Sequence, residues 1–423
     1  MGGLIFAAPA SGSGKTTVTL GLLRAAARRG LPVRSAKSGP DYIDPRFHAA
    51  ATGRECVNLD AWAMTPDRLR SLAAHEPGEC LLIEGAMGLF DGAPPDGKGS
   101  SADLARILGL PVVLIIDCAR MAGSVAAIVK GFTSLDPKVQ VAGVILNNVG
   151  SPRHEDMLRR ALPDTPILGA VPRNRALSQP SRHLGLEQAE ERPDLETFLD
   201  TAAETMAAHL DMDALLHLAA QSAVPKGAAL PLPPPAQRIA VARDRAFGFS
   251  YPHMLSDWRQ AGAELLVFSP LNDDPVPQAD FIFLPGGYPE LHAGTLAQTQ
   301  DFLPSLRKAA ETTPVYGECG GYMVLGEGLI DAEGTRHAMA GLLRLETSFE
   351  RRKLHLGYRH LTALHGPFPG DYTAHEFHYA STLRAEGEPL FTAHDATGTA
   401  LGPMGLSHGH VQGSFAHIID RAT

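Results

Sequence analysis

The sequence predicts an α/β protein: an N-terminal doubly wound domain built around a phosphate-binding loop, followed by a second α/β domain. Three observations predict it. Short continuous apolar runs alternate with longer helix-period segments, as in parallel strands covered on both faces. A Gly/Ser-rich turn, Pro9 to Thr17, sits between the first apolar run and the first helix. A proline-rich stretch, Gln221 to Gln237 (QSAVPKGAALPLPPPAQ), separates two domain-sized lengths of chain. Proline there removes amide donors and forces extended backbone, so neither a helix nor a sheet interior fits. The expected organisation is therefore residues 1–220, a linker at 221–237, and residues 238–423.

The elements follow in order. Gly3–Ala8 is a short apolar run and Lys15 to about Arg29 a helix. Leu31–Ala36, Cys80–Ile83, Val112–Asp117, Val141–Asn147 and Ile167–Val171 read as further strands. The second half restarts with a strand at Arg238–Ala242, a helix around Tyr251–Ala261, and strands at Glu264–Phe268, Phe281–Leu284 and Val315–Tyr316. After Leu343 the pattern turns β-like and irregular, and no repeat of fixed period appears.

Composition narrows the function. Of 423 residues, 44% are hydrophobic and 20% charged, so wholesale disorder is excluded. A net charge of −9 does not suit a surface that coats a phosphate backbone, so no nucleic-acid partner is expected. Four cysteines (Cys56, Cys80, Cys118, Cys319) without CxxC spacing make neither a disulfide framework nor a zinc site. The longest apolar run, Leu108 to Ile116, is broken by Pro111 and falls far short of the roughly 20 residues of a membrane span. No signal-like N-terminus is seen, so the expectation is a cytoplasmic protein without a membrane partner.

PASGSGKTT at Pro9–Thr17 has the context a phosphate loop needs. Small residues let backbone N–H groups approach an anion, and the helix N-terminus adds a positive dipole end. Lys15 is expected to reach the β/γ-phosphates and Thr16 to coordinate Mg²⁺, although Pro9 stands where the usual pattern has Gly. Two carboxylate-bearing segments also leave strand ends, where open α/β sheets place their sites. One is KSGPDYIDP (Lys37–Pro45), with Asp41 and Asp44; the other is IEGAMGLFDG (Ile83–Gly92), with Glu84 and Asp91. Asp117 ends a further apolar run. The bland alternative, turn chemistry, is strong for Asp41 and weaker for Glu84. The expected nucleotide contacts are Ser11, Gly12, Ser13, Gly14, Lys15, Thr16, Thr17 and Lys37; the expected metal ligands are Thr16, Asp44 and Glu84. Asp41, Asp91 and Asp117 are kept as substrate or activation candidates.

The second half offers a nucleophile. Cys319 lies in YGECGGYM directly after a strand, a strand–turn–helix elbow with glycines to accommodate a strained turn. Backbone N–H groups of Gly320 and Gly287, the latter in Pro285-Gly286-Gly287, are expected to form an oxyanion hole. His417, in GSFAHIID, is the expected base. Cys56, Cys80 and Cys118 lack such an elbow and read as buried thiols. His375-Glu376-Phe377-His378 is not H-E-x-x-H and shows no third ligand, so His375 and His378 read as a polar patch near a substrate or interface.

With these motifs the chain resembles the cobyrinate / hydrogenobyrinate a,c-diamide synthase family of cobalamin biosynthesis. The carrying motifs, from Ala10 to His417, are ASGSGKTT, KSGPDYIDPRFH, EGAMGLFDG, SRHLGL, LPGGYPE, YGECGGYM, HLGYR, HEFHY and GSFAH. The N-terminal half is similar to dethiobiotin synthetase, and the C-terminal half resembles a class I glutamine amidotransferase domain. The resemblance implies ATP- and Mg²⁺-dependent amidation of the a- and c-acetates of a corrin macrocycle through acyl phosphates, with glutamine as nitrogen donor; the sequence leaves the oligomeric state open, a homodimer among the arrangements. By motif match it makes Cys319 the glutaminase nucleophile, His417 its base, Lys15 and Thr16 nucleotide residues, and Asp44 and Glu84 Mg²⁺ ligands. Many class I glutaminases carry Glu two residues after the His; here Ile419 stands there. Arg46, His48, Arg182 and His183 are candidates for the substrate carboxylates. Hydrogenobyrinate is the favoured macrocycle and cobyrinate the next, with nickel sirohydrochlorin as an alternative. The rival readings are a dethiobiotin-synthetase-like carboxylase and a phosphate-loop ATPase with an inactive second domain.

Overall fold

The computed structural model describes residues 2–74, 78–177, 181–182, 185–186 and 188–422, with backbone only for 181–182 and 185–186. It divides into two units, Met1–Ala229 and Leu230–Thr423.

In the first unit seven strands form one sheet: β1 (Gly3–Ala7), β2 (Val33–Ser38), β3 (Val57–Leu59), β4 (Cys80–Glu84), β5 (Val112–Asp117), β6 (Val141–Val149) and β7 (Ile167–Pro172). Their order is β3-β2-β4-β1-β5-β6-β7, parallel throughout. The all-apolar runs are buried, as strands covered on both faces require. Helix α1 (Lys15–Arg28) follows β1, and α2 (Asp44–Thr52) follows β2. The carboxyl ends of β1, β2 and β4 are neighbours, so the turns after them converge on one edge of the sheet. The segment 221–237 carries neither helix nor strand.

The sequence reading missed one strand of this sheet. It assigned no strand to Val57–Leu59, a three-residue edge strand whose central residue is Asn58, too short and too polar to read as an apolar run. Asp44, expected as a metal ligand, opens α2, where Pro45 needs no N–H partner.

The second unit holds a sheet made of β8 (Arg238–Ala242), β9 (Glu264–Phe268), β10 (Phe281–Leu284) and β11 (Val315–Glu318), with β16 (Leu406–His408) and β17 (Val411–Ser414) returning from the C-terminal end. The order is β9-β8-β10-β11-β17-β16, with only β16 antiparallel to its neighbour. A second, antiparallel sheet explains the irregular β pattern after Leu343. It consists of β12 (His355–Ala363), β13 (Asp371–His378), β14 (Phe391–Asp395), β15 (Ala400–Met404) and β18 (Ala416–Arg421), ordered β15-β14-β12-β13-β18. Only Phe415 separates β17 from β18, so the chain passes directly from one sheet to the other. Among the described residues no helix is long and apolar enough to cross a membrane.

Candidate functional site

The turn after β1 is set by Gly14, which caps α1 in the left-handed region at φ 88°. A Cβ there would stand 2.2 Å from Asn147 Nδ2, which itself donates to Ser13 O at 2.9 Å, so glycine is required on two counts. Lys15 Nζ donates to Met87 O at 2.5 Å and to Ala10 O at 3.4 Å. Thr16 Oγ1 donates to Glu84 Oε1 at 2.6 Å, joining the turn after β1 to the end of β4. Ser11 and Gly12 are exposed, and Ser13 is buried with its Oγ on Ala10 O.

Behind this turn lies a buried ionic cluster. Lys37 Nζ, at the end of β2, contacts Asp44 Oδ2 at 2.5 Å and Glu84 Oε1 at 2.7 Å. The other oxygen of Glu84 meets His48 Nε2 at 2.7 Å, with both side chains fully buried. Burial pushes the Glu84 carboxyl up, but Lys37 and His48 outweigh it and hold it well below the usual range. Burial also works against the charge on His48, yet Cys56 and Glu84 raise it to about 10. Asp44 is pushed up to about 7 by burial and by Asp41, against the pull of Lys37. Burial and the neighbouring Lys37 lower Lys15. The buried charges of Lys37, Glu84 and His48 persist because each is paired, while Lys15 rests on backbone carbonyls.

This cluster brings together Lys15, Thr16, Lys37, Asp44 and Glu84 from three sequence segments. His48 is corrected: it was a candidate for substrate carboxylates, but complete burial against Glu84 keeps it from a bulky ligand. Asp41 and Asp91 perform turn chemistry, accepting from Ile43 N at 2.8 Å and Gly88 N at 2.9 Å. Asp117 Oδ1 accepts from Asn148 Nδ2 at 2.9 Å and Ala119 N at 3.0 Å. Arg46 Nη1 lies 3.7 Å from Glu190. His183 and the side chain of Arg182 lie outside the described residues.

In the second unit Cys319 follows β11 with φ 46° and ψ −100°, a conformation that costs a non-glycine residue on the order of 1–3 kcal/mol. Its N–H is held by Ser414 O at 2.8 Å, and Gly321 N–H by Pro285 O at 3.1 Å, so the strained turn is braced from both sides. Gly286 has no room for a side chain. A Cβ there would stand 2.2 Å from His417 Cε1, 3.0 Å from His417 Nε2 and 3.2 Å from Cys319 Cβ. The imidazole and the thiol-bearing carbon thus flank one point. A Cβ on Gly320 would lie 2.9 Å from Gly287 N, so these two backbones also abut.

The pairing of β13 with β18 sets His375 opposite His417, and Cys319 Sγ lies 3.9 Å from Phe377 O. Burial, and then the charges of His375 and His378, lower His417 to about 3, so the imidazole is neutral and able to accept a proton. Burial, and then Glu290, push the Cys319 thiol up. The resting pair is therefore thiol and neutral imidazole.

The expectation that HEFH lacks a third ligand needs correction. Register places His355 opposite His378, and donor atoms of His355, Glu376 and His378 lie within 4.8 Å of one another. The rings of His355 and His378 are nevertheless stacked 4.6 Å apart at 7°, and Arg359 holds Glu376 Oε2 at 2.7 Å. Stacked rings do not converge on an ion, and a guanidinium already fills the carboxylate.

Residues 4–186 match the CobQ/CobB/MinD/ParA nucleotide binding domain, and residues 238–422 the CobB/CobQ-like glutamine amidotransferase domain. Relatives named hydrogenobyrinate a,c-diamide synthase match end to end. The Brucella anthropi protein is 56% identical over 436 residues, covering 99% of each chain. That of Rhizobium meliloti is 55% identical, again over 99% of each, and that of Rhodobacter capsulatus 54%, over 99% of this chain and 98% of that one. The chain belongs to the hydrogenobyrinate a,c-diamide synthase family. As a member it is a glutamine-dependent, amide-forming ligase with a nucleotide-binding half and a glutamine amidotransferase half.

Two parts of the site escaped the sequence reading. Glu318, directly before Cys319, has Oε2 3.7 Å from His417 Nδ1. A carboxylate ending an apolar strand was the available signal. The pairing of His48 with Glu84 had none, because it depends on which faces of α2 and β4 meet.

Proposed function

We propose that this enzyme amidates the a- and c-acetate carboxylates of hydrogenobyrinate, using ATP, Mg²⁺ and glutamine. The observation that carries the substrate is identity of 54–57% along the whole chain to relatives bearing that name. The geometry supports the division of labour. In the first unit Lys15 and the turn's backbone N–H groups bind the nucleotide phosphates. Thr16, Asp44 and Glu84 offer hard oxygen donors of the kind Mg²⁺ takes, with Glu84 kept anionic; they would hold the ion by giving up contacts they now make with one another, Lys37 and His48, and the ion would supply charge neutralisation on the phosphates. Lys37, between both carboxylates, is placed to balance charge as phosphate moves. A macrocycle carboxylate takes the γ-phosphoryl group, and the acyl phosphate so formed is open to attack by ammonia with loss of phosphate.

In the second unit Cys319 Sγ attacks the side-chain carbonyl of glutamine while His417 accepts the thiol proton. The oxyanion is met by N–H groups of Gly320 and Gly287. His417 returns the proton to the departing nitrogen, releasing ammonia and leaving a thioester. Water, deprotonated by His417, hydrolyses it to glutamate and restores the thiol. His375 and His378 line the same turn and bear on glutamine rather than on the macrocycle.

The test is mass spectrometry of hydrogenobyrinate, cobyrinate and nickel sirohydrochlorin, each incubated with ATP, Mg²⁺ and glutamine. Two amides on hydrogenobyrinate, formed faster than on the other two, is the expected result. Preference for a metal-containing macrocycle contradicts the substrate.

A further inference from the structure

The glutaminase turn needs a group that orients its base. An imidazole relays a proton well when its far nitrogen is held and its positive charge is balanced. Ile419, two residues beyond the histidine, supplies neither.

Glu318 is placed to supply both. It ends β11 and pairs with Ser414 on β17, and His417 stands three residues beyond that pair. Its Oε2 lies 3.7 Å from His417 Nδ1, with both side chains almost wholly buried. Its Oε1 accepts the N–H of Ile418 at 3.1 Å, which fixes the carboxylate against the strand that bears the histidine. The separation is longer than a hydrogen bond, and catalytic contacts commonly close only when substrate is bound. Of the other carboxylates nearby, Glu376 acts on His417 but is already committed to Arg359 at 2.7 Å and to His378 at 2.9 Å, and Glu290 acts on Cys319.

We propose that Glu318, the residue immediately preceding the nucleophile, is the positioning residue for His417, aligning the imidazole on Cys319 and balancing its positive charge during glutamine hydrolysis. The carboxylate thus comes from the nucleophile's strand rather than from the histidine's. The inference rests on reading the second unit as an active glutaminase.

The surroundings give the role a pH signature. Burial raises the Glu318 carboxyl to about 8, so it is ionised above that pH and largely protonated below it. The other groups acting here are His375 and His378, which oppose a charge on His417; Glu376 and a backbone hydrogen bond with Phe249, which favour it; Glu290, acting on Cys319; and Tyr316, beside Glu318. Glu318→Gln leaves each of these groups in place and retains an acceptor for Ile418 N–H, while removing the charge that also raises Cys319 and Tyr316.

The experiment compares the full chain with Glu318→Gln, following glutamine hydrolysis from pH 6 to 10 and ammonium-supported amidation in parallel. The expected variant loses at least ~10-fold in kcat at pH 8.5 and loses the rising limb between pH 7 and 9. Its KM for glutamine and its ammonium-supported rate stay within two-fold of the parent. A kcat within two-fold, with the limb intact, overturns the proposal. Should Glu318→Gln fail to fold, Glu318→Asp keeps the charge on a shorter arm; reduced kcat with a retained limb supports the proposal, and unchanged kcat overturns it. A parent enzyme with no Cys319-dependent glutamine hydrolysis overturns both this inference and the reading beneath it.

Discussion

Cys319 rests as a thiol in this fold, although nucleophilic cysteines are often held as thiolates. A helix N-terminus commonly lowers a thiol pKa, but here burial comes first, Glu290 adds to it, and the result is a rise. Burial keeps His417 neutral, and in the proposed mechanism it takes the thiol proton. His417→Asn should cost glutamine hydrolysis about 10²–10⁴-fold, the usual span for a general base, with ammonium-supported amidation unaffected. Iodoacetamide should modify Cys319 slowly at pH 7; rapid alkylation at pH 6 would show a pre-formed thiolate and contradict this account. In the first unit, Lys15→Ala and Glu84→Ala should each lower amidation at least ~10²-fold with either nitrogen donor, since activation precedes ammonia attack. Near-normal turnover and unchanged Mg²⁺ dependence in Glu84→Ala would remove Glu84 from the metal set. The turns that carry Cys319, Lys15 and Thr16 were legible because each is a local motif with neighbouring glycines. The closeness of His355 to His378 was not, because strand register fixes it, and Glu318 was passed over although it ends an apolar strand.

At the scale of elements, the parallel strands were readable because strands covered on both faces are continuous apolar runs, as in Cys80–Glu84 and Val112–Asp117. The antiparallel sheet was not, because its strands mix faces, and the same stretch of chain includes a run such as Ser381–Glu386 with little burial. The strand pair β12–β13 carries a testable ionic bond. Arg359 holds Glu376 Oε2 through two nitrogens, at 2.7 and 2.8 Å, with both side chains mostly buried. Burial pushes the Glu376 carboxyl up, but His378 and Arg359 outweigh it and bring it to about 2. A depressed carboxyl stabilises the fold above its unfolded pKa of about 4.5 and loses that contribution as pH falls toward 2. Glu376→Gln leaves the guanidinium buried without its counter-charge, so a loss of about 3–5 kcal/mol is expected at pH 7, shrinking as the parent is acidified through that window. Urea unfolding at pH 7 and pH 3 measures it; an equal difference at both would show that the ion pair is not the cause.

At the scale of the whole molecule, one phosphate-binding turn and one cysteine elbow must serve two carboxylates, because neither feature recurs along the chain. A site that accepts the macrocycle in two orientations cannot be tightly complementary to either, so it should rely on a few charged anchors. With substrate in excess over enzyme, a free mono-amide should therefore accumulate early and then decline; diamide from the first turnover, with no free mono-amide, would mean that the macrocycle is retained between steps. The central claim is that the first unit activates the carboxylate while the second only supplies ammonia. Its most direct test is Cys319→Ser incubated with hydrogenobyrinate, ATP and Mg²⁺, with either glutamine or ammonium, and the products weighed by mass spectrometry. The account predicts the diamide with ammonium and unchanged substrate with glutamine; loss of amidation with both donors, or amidation with glutamine, would contradict it.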